Sequence, residues 1–210
     1  MTPSPREPQG PGMSDRWRAW RAATDLDEYD TRWTRLQESG EPIHGEADLI
    51  ERFIGATDAG LVVDAGCGMG RVAIELARRG HRVLAIDNDD EMLARGRAKH
   101  GAVTWLEADL ATVELPAPAD TVALAGNVLI FCEPGWEAAI VANLAANLAP
   151  GGTLVAGHSL PDGARSVAAY DEWARAGGLE PLHRFADWDG NALPARGDGA
   201  YAVFVDRRPG

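Results

Sequence analysis

Short apolar segments alternate with helical segments over most of the chain, and this alternation constrains the fold more than any other feature. Strands that are separated by helices of this length form a doubly wound, mostly parallel α/β sheet. The last two predicted strands have only a loop between them, so they are expected to pair antiparallel. The pattern predicts strands over 61–66, 81–87, 103–108, 121–127, 149–159, 179–185 and 201–207, and helices over 71–80, 90–100, 133–149 and 166–178.

The residues before the first of these strands are expected to form an appendage to the sheet. Residues 1–15 are rich in Pro, Gly and polar groups, which predicts a disordered tail. An uneven helical pattern follows from Trp17 to about Gly40, and a second helix is predicted from His44 to Ile54. The predicted organisation is a tail (1–15), an N-terminal helical lid segment (16–56) and a Rossmann-like domain (57–210).

The charge of the chain excludes several classes of partner. There are 32 acidic residues against 20 Lys and Arg, a net charge of −12, and no basic run that a nucleic acid or an anionic membrane would require. No window approaches 18 consecutive apolar residues, and the N-terminal residues lack the apolar stretch of a secretory signal. Cys67 and Cys132 are too few for a disulfide framework. We therefore expect a cytoplasmic protein without nucleic-acid or membrane partners, whose oligomeric state stays open.

A glycine-rich segment stands where the strand at 61–66 gives way to a helix. In Asp64-Ala65-Gly66-Cys67-Gly68-Met69-Gly70 the glycines occupy alternate positions, and they allow positive φ and a close approach of the backbone to a ligand. The spacing is not the dinucleotide fingerprint G-x-G-x-x-G, because Arg71 stands where its third glycine would fall. Asp64 would repel a pyrophosphate and attract an ammonium group. The segment predicts a ligand-binding loop.

Two further carboxylates follow predicted strands. Asp87 ends the second strand, where an acid can accept hydrogen bonds from ribose hydroxyls, a signal that fits an NAD site equally well. The acidic run after it does not fit a calcium loop, because Met92 and Ala98 occupy the positions of the required Gly and bidentate Glu. We predict no metal site. Asp109, after the third strand, could bind an adenine amino group or be a solvated loop acid.

These motifs in this order resemble the class I S-adenosylmethionine-dependent methyltransferases over roughly residues 44–207. The resemblance rests on the glycine loop, on Asp87 and Ala108-Asp109-Leu110, on Gly126-Asn127 after the fourth strand, and on Leu148-Ala149-Pro150-Gly151-Gly152. It implies a Rossmann-like, seven-stranded sheet whose last strand is antiparallel. It also implies S-adenosylmethionine as the cofactor and S-adenosylhomocysteine as the product.

The resemblance implies a cofactor-binding role for each residue at a matching position. The methionine part would lie on the glycine loop, the ribose hydroxyls on Asp87, and the adenine amino group on Asp109 with Leu110 against the ring. Asn88 and Met92 would surround the ribose and adenine, and Asn127 and Val128 would form the floor beneath the sulfonium. The implied set is Asp64, Ala65, Gly66, Cys67, Gly68, Gly70, Asp87, Asn88, Met92, Asp109, Leu110, Asn127 and Val128.

The expected activity is methyl transfer to an O, N or C atom of a small-molecule acceptor, since little chain remains beside the sheet to grip a macromolecule. The candidate catalytic residues are Tyr29 and His158, the latter predicted just past a strand's carboxyl end, with a hydrogen-bonded loop histidine as its alternative. Arg32, Trp33, His44 and Phe131 are further candidates for substrate contact. Two other functions stay open: an NAD(P)-dependent oxidoreductase, and a non-catalytic S-adenosylmethionine-binding regulatory protein.

Overall fold

The computed structural model describes residues 12–55, 60–194 and 199–210. Within these ranges there are eight helices and seven strands, against the six helices and seven strands that the sequence predicts. The helices are α1 (Asp15–Ala23), α2 (Leu26–Glu38), α3 (Gly45–Glu51), α4 (Arg71–Arg78), α5 (Asp90–Lys99), α6 (Val128–Phe131), α7 (Glu137–Ala146) and α8 (Ala164–Ala176). The strands are β1 (Leu61–Ala65), β2 (Arg82–Asp87), β3 (Thr104–Glu107), β4 (Ala119–Leu124), β5 (Leu148–Ser159), β6 (Glu180–Phe185) and β7 (Tyr201–Arg207).

All seven strands form one sheet in the order β3-β2-β1-β4-β5-β7-β6. Neighbouring strands from β3 to β5 pair in parallel, whereas β7 pairs antiparallel with both β5 and β6. The predicted Rossmann-like sheet with an antiparallel last strand is therefore confirmed. Strand order reverses between β1 and β4, and open α/β sheets bind their ligands at the carboxyl ends of the strands beside such a reversal.

Helices cover both faces of the sheet, which explains why its central strands read as continuous apolar runs. Successive residues of β1 point to opposite faces: Val63 packs in the core with α7 and α8, and Val62 packs in the core with α3 and α4. Both valines are fully buried. This packing fixes β1 in the centre of the sheet and holds its carboxyl end, where the glycine loop begins.

The N-terminal segment differs from its prediction at two points. The single uneven helix predicted from Trp17 to about Gly40 is two helices, because the Asp25 carboxylate accepts hydrogen bonds from the N–H groups of Asp27 (2.8 Å) and Glu28 (3.2 Å) and starts α2 anew. Residues 1–11 of the predicted tail lie outside the described residues. Ser14, also assigned to that tail, is buried and caps α1.

The long helix predicted over 133–149 is also wrong in its bounds. A short helix, α6, precedes it, and α7 begins only at Glu137. Gly135 lies between them with φ +91°, a left-handed conformation that no helix tolerates. The C-terminal end of the predicted helix is already strand β5, which starts at Leu148. In the described ranges, no helix combines the length and the apolar composition that crossing a bilayer requires.

Candidate functional site

A cavity of about 720 Å³ opens at the carboxyl ends of β1 to β4, a volume typical of small-molecule sites. One wall is built by the segments that follow these strands. The other wall is built by α1 and α2, which lie across the strand ends. The sheet supplies rigid walls, and the N-terminal helices supply the cover.

The glycine loop forms one side of this cavity. Gly66 (φ +74°) and Gly68 (φ +54°) both adopt left-handed conformations there. A Cβ on Gly66 would lie 2.5 Å from Cγ1 of Val128, so the loop and the start of α6 approach each other as closely as glycine permits. Beneath the loop, the buried Asp64 carboxylate accepts a hydrogen bond from the Ala73 N–H (3.0 Å). Desolvation of this carboxyl raises its pKa to about 7.

Asp87 is held against the same loop. Its Oδ2 accepts a hydrogen bond from the Gly68 N–H (2.7 Å) and its Oδ1 accepts one from the Asp89 N–H (3.0 Å). Burial raises the pKa of this carboxyl above its usual value. Each carboxylate oxygen can accept a second hydrogen bond, so the pair still offers acceptor positions to two hydroxyl groups.

Asp109 and Asn127 complete the strand-end wall. Asp109 lines the cavity and accepts hydrogen bonds from the N–H of Ala111 (2.9 Å) and, through its other oxygen, from the N–H of Gly12 (3.1 Å). Asn127 has φ +71°, and its side-chain oxygen accepts from the Ser159 N–H (2.7 Å). That bond ties the end of β4 to the end of β5 and fixes the start of α6.

The structure brings most of the predicted cofactor residues to this one cavity. Asp64, Gly66, Cys67, Gly68, Asp87, Asn88, Met92, Asp109, Leu110, Asn127 and Val128 all line it. Ala65 and Gly70 do not: Ala65 is fully buried, and Gly70 faces Trp105. A Cβ on Gly70 would lie 2.2 Å from Cη2 of Trp105, and one on Gly96 would lie 2.5 Å from the same atom. Gly70 therefore makes room for the indole of Trp105, not for a ligand.

Five aromatic side chains line the opposite side of the cavity, and we refer to them as the aromatic wall: Trp17, Trp20, Tyr29, Trp33 and Phe131. Ring centroids lie 4.8 Å apart for Trp17 and Trp20, 5.5 Å for Trp17 and Phe131, and 5.4 Å for Trp20 and Tyr29. Three different helices contribute to this surface.

Ion pairs fasten α1 and α2 to α5. Arg21 reaches Asp89 (Nε to Oδ2, 2.8 Å) and Glu91 (Nη2 to Oε2, 2.7 Å), and Lys99 reaches Asp30 (Nζ to Oδ1, 2.5 Å). A further pair joins Arg95 to Asp27, both partly or largely exposed. Asp89 is the N-cap of α5 and follows Asp87 by two residues. The Arg21–Asp89 ion pair therefore lies beside Asp87, the carboxylate predicted to bind the ribose hydroxyls.

Hydrogen bonds fasten the other end of α1 to α6. The Ser14 hydroxyl donates to the Phe131 carbonyl (2.5 Å), and the Arg16 guanidinium donates to the Ile130 carbonyl (2.7 Å). The sequence predicted a covering segment but none of these contacts, because each joins residues that are about 70 or more positions apart. Together they hold α1 across the cavity from both sides.

His158 does not lie where it was predicted. It is part of β5, 5% exposed, and its ring stacks on Phe204 with 5.1 Å between centroids. Burial lowers the pKa of its imidazole to about 4. It is absent from the residues that line the cavity, whereas Tyr29, Trp33, His44 and Phe131 are all present.

Two other side chains in the cavity carry reactive groups. Nε2 of His44 lies 3.7 Å from Oε2 of Glu75. Burial raises the pKa of the Cys67 thiol well above its usual value, which leaves it protonated and a poor nucleophile. Chemically, the site can accept hydrogen bonds from hydroxyl and amino groups, receive a cation beside Asp64, and stack rings against the aromatic wall.

Comparison with known proteins gives a consistent result. Residues 62–152 match the model of a methyltransferase domain. An uncharacterised methyltransferase of Mycobacterium tuberculosis is 36% identical over 95 residues, 44% of this chain and 47% of that protein. The malonyl-[acyl-carrier protein] O-methyltransferase of Pectobacterium atrosepticum is 31% identical over 124 residues, 59% of this chain and 47% of that protein. The chain thus matches about half the length of these relatives.

Among solved structures, a TehB-like S-adenosylmethionine-dependent methyltransferase from Corynebacterium glutamicum is similar over most of both chains. It is 28% identical, with a TM-score of 0.75, and the match covers 87% of this chain and 97% of that one. The segment that matches the domain model runs from β1 to the beginning of β5 and so contains every strand whose end borders the cavity. The chain thus contains a segment that matches a methyltransferase domain, and most of its length is similar to an S-adenosylmethionine-dependent methyltransferase of known structure.

Proposed function

We propose that this chain binds S-adenosylmethionine in the cavity and transfers its methyl group to a small-molecule acceptor. One observation carries the proposal: Asp64, Asp87 and Asp109 each follow or end a different strand, yet all three line one cavity together with the glycine loop. Carboxylates in this arrangement match the cationic, hydroxyl and amino groups of the cofactor in turn.

The residues present fit the cofactor. Asp87 would hold the ribose hydroxyls, because each of its oxygens still has an acceptor position beside its backbone hydrogen bond. Asp109 would hold the adenine amino group, with Leu110 against the ring. The Asp64 carboxylate lies beneath the glycine loop, where the ammonium of the methionine part would neutralise its buried charge. When bound, the cofactor supplies a methyl group on a sulfonium, which is already an activated leaving group.

The work left to the chain is mainly orientation and exclusion of water. An acceptor held in line with the methyl group gains most of its rate from this positioning. We propose that the N-terminal segment 16–56 acts as the lid that excludes water, since α1 and α2 cover the cavity and are fastened on both sides. A general base is required only for an acceptor that must lose a proton, and Tyr29 is the candidate that lines the cavity.

Two observations disfavour the alternatives. A dinucleotide would place a pyrophosphate above Asp64, and the nearby Arg71 does not offer a free cation, because its guanidinium pairs with Glu46 and donates to the Ile43 carbonyl. A protein that only sensed the cofactor would need no space beyond the cofactor site. Here the cavity continues along α2 and α4 to Gln37 and Arg78, which favours an acceptor pocket.

Calorimetric titration with S-adenosylmethionine, S-adenosylhomocysteine, NAD and NADP tests the cofactor. Binding of the first two alone is the expected result. Binding of NAD or NADP alone would overturn the proposal. Tyr29→Phe, assayed once an acceptor is found, should reduce turnover without changing cofactor affinity if the Tyr29 phenolate takes a proton from the acceptor and becomes the phenol.

A further inference from the structure

The part of the cavity that the cofactor residues do not line has an aromatic surface. The five rings of the aromatic wall come from α1, α2 and α6, and each lines the cavity. The rings pack mostly edge to face, as in the pairs Trp17–Phe131 (78° between ring planes) and Trp20–Tyr29 (87°). Contacts of this kind hold the rings in place, so the wall presents a fixed aromatic surface to a molecule that enters the cavity.

Two of the three Lys and Arg side chains among the described cavity-lining residues are already engaged by protein groups. Arg71 pairs with Glu46 and lies over the ring of Trp33, 4.1 Å from its centroid. Lys99 Nζ lies 2.5 Å from the Asp30 carboxylate. An acceptor carboxylate beside Arg71 or Lys99 would have to displace one of these partners and leave a carboxylate without its cation, which is costly in a shielded site.

The remaining charges of the lining point the same way. Arg78 is the last residue of α4 and is exposed at the outer end of the cavity. Among the described residues that line the cavity, Asp30, Asp64, Asp87 and Asp109 contribute four carboxylates. Asp30 is paired with Lys99 and the pKa of Asp64 is raised to about 7, so the negative potential that disfavours an anionic acceptor comes mainly from Asp87, Asp109 and the net charge of −12.

We propose that the acceptor is a flat aromatic molecule, neutral or cationic and without a carboxylate, that stacks on the aromatic wall. The proposal rests on the proposed function, since it names the acceptor class for the same site. Ring faces favour stacking with another ring and attract a cationic amine, whereas they offer an aliphatic chain only contact area. Selection is therefore made by ring stacking together with the sign of the charge.

Three probes that share the indole ring system but differ in charge test the charge selection: tryptophol (neutral), tryptamine (cationic) and indole-3-acetate (anionic). Each is titrated by calorimetry into the protein saturated with S-adenosylhomocysteine, and again into the free protein. Tryptophol and tryptamine should bind at least about tenfold more tightly than indole-3-acetate. Equal or tighter binding of indole-3-acetate, or no binding of any of the three, would overturn the proposal.

Aromaticity is tested with 2-cyclohexylethanol and with variants. The saturated alcohol should bind more weakly than tryptophol. Trp20→Leu should lower tryptophol affinity several-fold, by more than any change in the affinity for S-adenosylhomocysteine, whereas Trp173→Leu, a half-buried tryptophan of α8 outside the cavity, should change neither. Unchanged tryptophol affinity in Trp20→Leu would contradict stacking on the wall.

Failure of the proposed function gives a different result from failure of this inference. A chain that binds neither S-adenosylmethionine nor its product lacks the proposed function, whatever the indole probes do. A chain that binds the product and prefers indole-3-acetate keeps the proposed function and loses only the acceptor class.

Discussion

The backbone N–H of Gly68 donates to Oδ2 of Asp87 at 2.7 Å, which joins the glycine loop after β1 to the end of β2. The Asp89 N–H holds the other oxygen at 3.0 Å. The carboxylate is thus fixed by two backbone groups before any ligand arrives. Preorganisation of this kind lowers the entropic cost of binding a nucleoside.

Replacing Asp87 tests its role in nucleoside binding. Asp87→Asn keeps the size of the side chain and one acceptor oxygen but removes the charge. We expect S-adenosylhomocysteine affinity to fall by about 1.5–3 kcal/mol, as for loss of a hydrogen bond to a charged group. Asp90→Asn, at an exposed position in the first turn of α5, is the matched control and should leave affinity unchanged. Calorimetry measures both, and equal affinity in the two variants would remove Asp87 from the site.

The raised pKa of the Asp64 carboxyl should make the free energy of unfolding depend on pH. This carboxyl has a pKa of about 7 in the folded chain, against 3.8 for an ordinary Asp carboxyl. The unfolded chain therefore loses this proton first, and the free energy of unfolding falls as pH rises from about 4 to about 7. Asp64→Asn, which cannot ionise, should lack this fall, gaining about 1.4 kcal/mol over the wild type for each pH unit in that window.

Urea unfolding at pH 5, 6, 7 and 8 measures the difference between the two proteins. Asp90→Asn serves again as the control, with a difference from wild type that stays constant over the range. A constant difference for Asp64→Asn as well would show that burial does not hold the proton on Asp64.

Replacing Arg21 tests what holds α1, part of the proposed lid, over the cavity. No side chain of α1 is fully buried, so this helix depends on its fastenings, and the Arg21–Asp89 pair is well shielded, with 20% and 5% of the two side chains exposed. Arg21→Gln should weaken closure by about 1 kcal/mol and speed release of S-adenosylhomocysteine several-fold. Stopped-flow dissociation and hydrogen exchange of the α1 amides report the change.

Arg18→Gln is the matched control in the same helix. Its ion pair with Asp15 is largely exposed, so its loss should alter neither rate. Similar release rates in both variants would mean that the Arg21 pair does not hold the helix over the cavity.

The close approach of the glycine loop to α6 should require glycine at position 66. Gly66→Ala combines a left-handed backbone with a Cβ at 2.5 Å from Val128, and we expect a loss of about 1–3 kcal/mol in stability and weaker cofactor binding. Gly101→Ala, where a Cβ meets no atom within 4 Å, should be tolerated. Thermal unfolding and calorimetry compare them, and a fully stable Gly66→Ala would contradict the close approach.

The fold could be predicted from the sequence because its signals are local. The apolar runs of β1, β2 and β4 and the glycines that end the helices each lie within one element. The break between α1 and α2 was also readable, since Asp25 is a common N-cap residue followed by acids in the first turn. The strand predicted over 149–159 already includes His158, so its expected position past the strand end was wrong. The burial of its ring against Phe204 depends on the pairing of β5 with β7, which a single segment does not reveal.

The candidate site likewise has one part that the sequence predicts and one part that it does not. The acids at strand ends follow from where parallel strands end, and they do meet in one cavity. The covering contacts of Ser14, Arg16 and Arg21 are made across the whole domain, so no pattern in their own neighbourhood indicates them. That Gly70 faces Trp105 could not be predicted for the same reason, because Trp105 is supplied by β3.

The placement of Trp105 between Gly70 and Gly96 has a consequence for which residues homologues of this chain can carry at these positions. Position 70 requires glycine for two reasons: its backbone is left-handed, and a Cβ there would clash with the indole. Position 96, inside α5, does not have a left-handed backbone, so there only the space around the Cβ favours glycine. Helices disfavour glycine, and a Cβ at position 96 would meet the indole first and the Met69 carbonyl oxygen next, at 3.1 Å, so a smaller side chain at position 105 should relax the requirement for glycine. In an alignment of homologues, positions 96 and 105 should therefore covary, with alanine at 96 found mainly where 105 is smaller than tryptophan.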